Sequence, residues 1–178
     1  MGKYKEIDGN LITLSLEGEF DVITHGCNCQ CVQGAGLAPQ MVKHFGTDTF
    51  ELEQKQYKGD IKKLGQIDYE LFHYSDLDNK FERYPDEDNK VLYNLYVVNS
   101  YTQYYYGKNH HDGVSKPLDY EALTLCLRKI NFIFHGKRIG LPGLIGCGLA
   151  GGDPEIVKNI IKSEMRDCDV TVVYLKKG

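Results

Sequence analysis

Several things are missing from these 178 residues, and each absence removes a class of function. No apolar run approaches the roughly 20 residues that a bilayer-crossing helix needs. The opening Met1-Gly2-Lys3-Tyr4-Lys5-Glu6 also lacks the apolar stretch of a secretory signal. The expectation is a soluble cytoplasmic protein without a membrane partner. No Lys/Arg cluster stands out and the formal net charge is −4, so the sequence-independent attraction behind nucleic-acid binding is absent. There is no repeat and no low-complexity tract. The six cysteines are even in number, but nothing points to export, and 178 residues that are 42% hydrophobic bury a core without disulfide staples. Reduced thiols and one domain spanning residues 1–178 follow.

What is present alternates between short apolar runs and helical patterns. Strands are predicted at Leu11 to Leu16, Phe20 to Thr24, Ile67 to Phe72, Val91 to Val98, Lys137 to Leu141 and Asp169 to Leu175. Helices are predicted at Ala35 to Phe45, Asp48 to Tyr57, Pro117 to Phe134 and Pro154 to Met165, with the polar stretch Asp76 to Lys90 read as an exposed loop. Strands interleaved with helices argue for a three-layer α/β domain with a mixed sheet, whose ligand sites lie beyond the carboxyl ends of strands.

Two glycine-rich loops occupy such positions. The first, His25-Gly26-Cys27-Asn28-Cys29-Gln30-Cys31-Val32-Gln33-Gly34-Ala35-Gly36-Leu37-Ala38, joins a strand to a helix start. Gly34 and Gly36 present no Cβ to a ligand, and unpaired N–H groups at a helix start favour an anion. It is neither of the two common phosphate loops, since no Lys-Ser or Lys-Thr closes it and no third glycine has the dinucleotide spacing. The second loop, Leu141-Pro142-Gly143-Leu144-Ile145-Gly146-Cys147-Gly148-Leu149-Ala150-Gly151-Gly152, also lies between strand and helix. Two such loops can clasp one diphosphate from both sides.

Gly9-Asn10-Leu11-Ile12, then Phe20-Asp21-Val22-Ile23-Thr24-His25-Gly26-Cys27-Asn28 with Gly34-Ala35-Gly36-Leu37-Ala38, then Leu141-Pro142-Gly143 to Gly148, resemble the macrodomain family of ADP-ribose-binding modules. The resemblance covers nearly the whole chain and implies a three-layer α/β/α fold with a mixed, mostly parallel central sheet. In detail it looks like the branch of ADP-ribose 1''-phosphate phosphatases and terminal ADP-ribose glycohydrolases, some of them phage-encoded, which would place this chain in a host cytoplasm. The resemblance assigns Asn28 to the distal ribose, Gly34 to Ala38 to that ribose and the diphosphate, and Gly143 to Gly148 to the opposite side of the diphosphate. Gly9-Asn10 stands where the family usually has Gly-Asp, whose carboxylate accepts from the adenine amino group; the Asn10 amide oxygen is expected to accept instead. The glycohydrolases' lysine and aspartate are replaced by Asn99-Ser100-Tyr101 and Ala150, which turns the expectation toward the phosphatases.

Each candidate group has two readings. Asp153 is either a general base that polarises water or the N-cap of a helix starting at Pro154, and the two are compatible. His25 either donates a proton to a leaving oxygen or hydrogen-bonds the loop. Cys27, Cys29 and Cys31 alternate along an extended segment, a spacing unlike that of zinc sites, so they read as small buried hydrophobes rather than metal ligands. Tyr101, Tyr104, Tyr105 and Tyr106, followed by Lys108, His110, His111 and Asp112, form either a cover over the ribose or an exposed aromatic loop.

The reading that joins these features is a protein that binds ADP-ribose and hydrolyses ADP-ribose 1''-phosphate to ADP-ribose and phosphate. It needs no cofactor and no metal. Gly9, Asn10, Leu11, Gly26, Cys27, Asn28, Gly34, Ala35, Gly36, Leu37, Ala38, Pro142, Gly143, Leu144, Ile145, Gly146, Cys147 and Gly148 form the binding surface, and His25 and Asp153 are the catalytic pair. The same surface also suits a non-catalytic reader of free or protein-linked ADP-ribose, or a hydrolase of ester-linked ADP-ribose or O-acetyl-ADP-ribose.

Overall fold

A computed structural model describes residues 2–53, 58–106, 117–143, 145 and 150–175. Its strands are β1 (Tyr4–Gly9), β2 (Val22–Asn28), β3 (Ile67–Ser75), β4 (Phe81–Glu82), β5 (Val91–Gln103), β6 (Arg138–Pro142) and β7 (Asp169–Leu175). Its α-helices are α1 (Leu11–Leu16), α2 (Ala38–Phe45), α3 (Tyr120–Ile133) and α4 (Pro154–Glu164). The strands form one seven-stranded sheet in the order β1-β7-β6-β2-β5-β3-β4. The pairings from β1 through β5 are parallel, and β3 and β4 join antiparallel. The expected mixed, mostly parallel sheet between helical layers is therefore the fold observed.

Both faces of the sheet are covered, so its central strands bury successive residues on opposite sides. Val22, Val98 and Val172 pack with Leu123, Leu127 and Ile130 of α3 and Val157 and Ile161 of α4. Their neighbours Ile23, Val97 and Val173 pack on the other side with Leu11 and Ile12 of α1, Met41 and Phe45 of α2, and Phe50. Among the described residues, no helix is long and apolar enough to cross a membrane.

The structure corrects several boundaries. Leu11–Leu16 is a helix rather than a strand, because Asn10 caps it and Leu11, Ile12 and Ser15 share the buried face. The edge strand β1 has too many charged side chains to read as a strand; its pairing with β7 creates it. The predicted helix from Asp48 is instead two 3₁₀ turns, Thr47–Thr49 and Glu51–Glu53, while residues 54–57 lie outside the described residues. The charged stretch after Ser75 is largely exposed as expected, yet it carries β4, whose Phe81 is buried against Phe45 and Tyr74.

Gly140 shows how tightly the layers meet. A Cβ there would lie 2.8 Å from both Leu11 Cδ1 and Phe20 Cδ2. Gly140→Ala is expected to lower stability by about 1–3 kcal/mol through overpacking, measurable as a shift of the urea midpoint at unchanged slope.

Candidate functional site

Because β1, β7, β6, β2 and β5 run parallel, their carboxyl ends share one edge of the sheet. The segments singled out in the sequence leave that edge together: Gly9, Asn10 and Leu11 after β1, the loop through Gly34 to Ala38 after β2, and Pro142, Gly143 and Ile145 at the end of β6. Leu144, Gly146, Cys147 and Gly148 lie outside the described residues, as do Lys108, His110, His111 and Asp112.

At the end of β2 the Asn28 side chain folds the chain back on itself. Its Oδ1 accepts from Gln30 N at 3.0 Å and Val32 N at 3.2 Å, and its Nδ2 donates to Val32 O at 2.7 Å. That clamp encloses Cys31 at a left-handed φ of 60°. Both oxygen lone pairs are thus committed to the loop, leaving one amide hydrogen for a ligand. Beyond it Gly36 has φ 64°, and a Cβ there would meet nothing within 4 Å, so this bend opens onto free space. No side chain caps α2, and Pro39 sits in its first turn, so the helix start offers backbone N–H groups and the positive dipole end to an anion.

On the β6 side, Gly143 is required by close approach: a Cβ would fall 2.4 Å from Tyr174 Cδ1. The Gly143 N–H donates to Val173 O at 2.7 Å, and Ile145 N donates to Pro142 O at 3.1 Å. Gly26, inside β2, would bring a Cβ within 3.0 Å of Thr102 Oγ1. Both glycines serve packing here.

Two expectations change, and a third residue takes one of its two expected roles. The Asn10 oxygen, assigned to adenine, already accepts from Ile12 N and Thr13 N at 3.0 Å each. What Asn10 has left to offer is its amide N–H pair. His25, assigned as an acid, is 2% exposed and lies opposite Asn99 in the β2–β5 register. The Asn99 amide donates to Thr47 O at 2.9 Å, so its oxygen accepts the 2.6 Å bond from His25 Nε2. Burial depresses the imidazole pKa to about 4, and its single ring proton is committed to Asn99. The loop-holding reading of His25 is the one the geometry supports. Asp153 is the N-cap of α4: it is exposed, and its Oδ1 accepts from Glu155 N at 2.9 Å.

The positions that depart from the glycohydrolase pattern are interior ones. Asn99, Ser100 and Tyr101 are fully buried in β5, where Ser100 Oγ pairs with Thr24 Oγ1 at 2.7 Å. Ala150 is buried too, and its carbonyl accepts from Leu118 N at 3.1 Å. Cys27 and Cys29 are buried as expected; Cys31 is half-buried. Burial raises all three thiol pKa values. Of the tyrosines, Tyr104 anchors the chain by donating to Gly59 O at 2.6 Å, while Tyr106 is exposed.

A charged cluster under the first loop escaped the sequence reading. Glu53 is 4% exposed with neither carboxylate oxygen hydrogen-bonded, Lys63 is 2% exposed, and Asp68 accepts from Tyr101 Oη at 2.7 Å and Leu52 N at 3.0 Å. Burial, with Asp68 adding repulsion, raises the Glu53 pKa to about 7; burial raises that of Asp68 to about 6. The one sequence signal was Asp68 inside an apolar strand.

The sheet order, the helices on both faces and the loops converging on one edge define a macrodomain fold. No family model matches the chain. The 17.5 kDa protein of the tk-vs intergenic region of Enterobacteria phage T4 is 29% identical over 174 residues, covering 95% of this chain and 94% of that one. Among solved structures, a Bacteroides thetaiotaomicron protein of unknown function is 26% identical, with a TM-score of 0.69 over 98% of this chain and 99% of its own. The macrodomain of Mycobacterium tuberculosis DarG is 18% identical, with a TM-score of 0.63 over 99% and 100% of the two chains. Thermosipho africanus DarTG, solved in complex with ADP-ribose, is 18% identical with a TM-score of 0.60, over 90% of this chain and 39% of that one.

The buried carboxylates set a pH test. Glu53 binds its proton more tightly folded, at about 7, than at its ordinary value of 4.5. Between those values the native state holds more protons than the unfolded one, so stability falls as pH rises, by up to about 3 kcal/mol. Urea unfolding from pH 4.5 to 8 is expected to show that decline, and Glu53→Gln to reduce its slope.

Proposed function

We propose that this protein binds ADP-ribose and hydrolyses ADP-ribose 1''-phosphate to ADP-ribose and phosphate. The observation that carries the binding half is the convergence on one sheet edge of the β1 turn, the open Gly34 to Ala38 loop and the end of β6, next to an uncapped helix start. A diphosphate placed there meets backbone N–H groups and a helix dipole without needing a basic side chain. Asn10 offers its N–H pair to an adenine ring nitrogen, and Asn28 shapes the loop around the distal ribose. Thermosipho africanus DarTG, 39% of which aligns with this fold, was solved in complex with ADP-ribose, which supports this choice of ligand.

The choice of reaction rests on the neutral, buried Asn99-Ser100-Tyr101 and the buried Ala150, which supply neither amine nor carboxylate for attack on the ribose. A water attacking the terminal phosphate needs only a base, and Asp153 has an exposed carboxylate with one oxygen outside the helix cap. His25 acts by holding β2 to Asn99. The structural employment of both His25 and Asp153 favours one second reading, a non-catalytic reader of free or protein-linked ADP-ribose.

Phosphate release from ADP-ribose 1''-phosphate by the purified protein, with a chelator present, separates the two. The phosphatase reading expects turnover that falls about 100-fold or more in Asp153→Asn, with calorimetric ADP-ribose affinity retained. Binding without release in the parent protein establishes the reader instead. Gly36→Val is expected to weaken ADP-ribose binding under either reading, because it puts a β-branched side chain at a left-handed bend facing the ligand.

A further inference from the structure

Under the first loop, Lys63 Nζ lies 2.8 Å from Cys31 Sγ. The two come from separate parts of the chain: Cys31 from the left-handed bend that Asn28 clamps, Lys63 from the 3₁₀ turn Ile61–Lys63, which Asp60 caps. The lysine is 2% exposed and the cysteine half-buried, so the amine is held against a sulfur that small solutes reach. Besides Lys63, Cys31 Sγ makes a long 3.8 Å contact to Leu52 O. The Glu53 carboxylate of the same buried cluster is 4% exposed, and neither of its oxygens has a hydrogen-bond partner. Burial is the main reason the Cys31 thiol pKa is raised, and the Glu53 charge adds to it.

We propose that Cys31 and Lys63 form an oxidative modification site, in which peroxide joins them covalently through one oxygen as a sulfur–oxygen–nitrogen bridge. Two peroxides are consumed. In the first step the Cys31 thiolate attacks peroxide: an S–O bond forms, the O–O bond breaks, and the second peroxide oxygen leaves as water with the former thiol proton, giving the sulfenic acid. In the second step another peroxide oxidises the amine. An N–O bond forms to the sulfenic oxygen, and the sulfenic proton and one amine proton leave with the reduced peroxide as two waters. The contact already holds nitrogen and sulfur at about the span of two single bonds through an oxygen, so the bridge forms with little movement of either loop. Two equivalents of a dithiol reverse it, returning thiol, amine and water. The bridge would pin the Asn28 loop to the Ile61–Lys63 turn, and its formation is independent of whether the loop binds ADP-ribose.

The test is peptide mapping of the full-length protein after titration with hydrogen peroxide. The expected product is one oxygen heavier and two hydrogens lighter than the reduced protein, links the Cys31 and Lys63 peptides, blocks tryptic cleavage after Lys63, and disappears with dithiothreitol. Lys63→Arg and Cys31→Ser are each expected to lack it, with the arginine variant stopping at oxygen adducts on Cys31. A Cys29–Cys31 disulfide as the product, oxygen adducts on Cys31 with Lys63 still cleavable in the parent protein, or the same product in either variant would overturn the proposal.

Discussion

Strand β2 is buried on both faces and paired in parallel on both edges, and the arrangement of the site follows from that constraint. A strand with no solvated side has to satisfy every polar group internally. Thr24 does so through Val98 O and Ser100 Oγ, and the His25 Nε2 through Asn99, while His25 Nδ1 is left buried without a partner among the described residues. Parallel pairing then forces each connection to cross a face of the sheet as a helix, so strands must end on the same edge as their neighbours. The turn after β1, the loop after β2 and the end of β6 meet there for that reason, although they are far apart along the chain.

The same burial decides what the ionisable groups can do. In a low-dielectric interior the neutral forms are favoured: the His25 pKa is pushed down, and those of Glu53, Asp68 and the Cys27, Cys29 and Cys31 thiols are pushed up. Contacts with water and with a ligand are therefore left to exposed groups such as Asp153 and to the backbone N–H groups at the uncapped start of α2. Under the loop, by contrast, the buried Lys63 amine lies 2.8 Å from the half-buried Cys31 sulfur, a contact suited to reaction between the two.

Much of the fold was legible in the residues. β7 runs from Asp169 to Leu175 as its apolar pattern indicates, and Pro154 after Asp153 marks the start of α4. Those signals are local, because periodicity and caps act within a few residues. The short helix after Asn10 was misread because Leu11-Ile12-Thr13-Leu14 suits either structure, and the cap decided it. β1 was missed because its only claim to being a strand is its neighbour β7.

The sequence by itself determined the strand from Asp169 to Leu175, the helix start at Pro154 and the places in the loops where glycine leaves no Cβ, since these depend on local periodicity, turn chemistry and side-chain type. Only the tertiary structure decided that the Asn10 oxygen is spent on a helix cap, that His25 is a buried donor to Asn99, that Glu53 lies inside rather than on the helix expected from Asp48 to Tyr57, and that Lys63 is buried with it. Those outcomes are set by burial and by partners up to 74 residues away in sequence. No local pattern encodes them, because desolvation and hydrogen-bond supply exist only once the layers have closed.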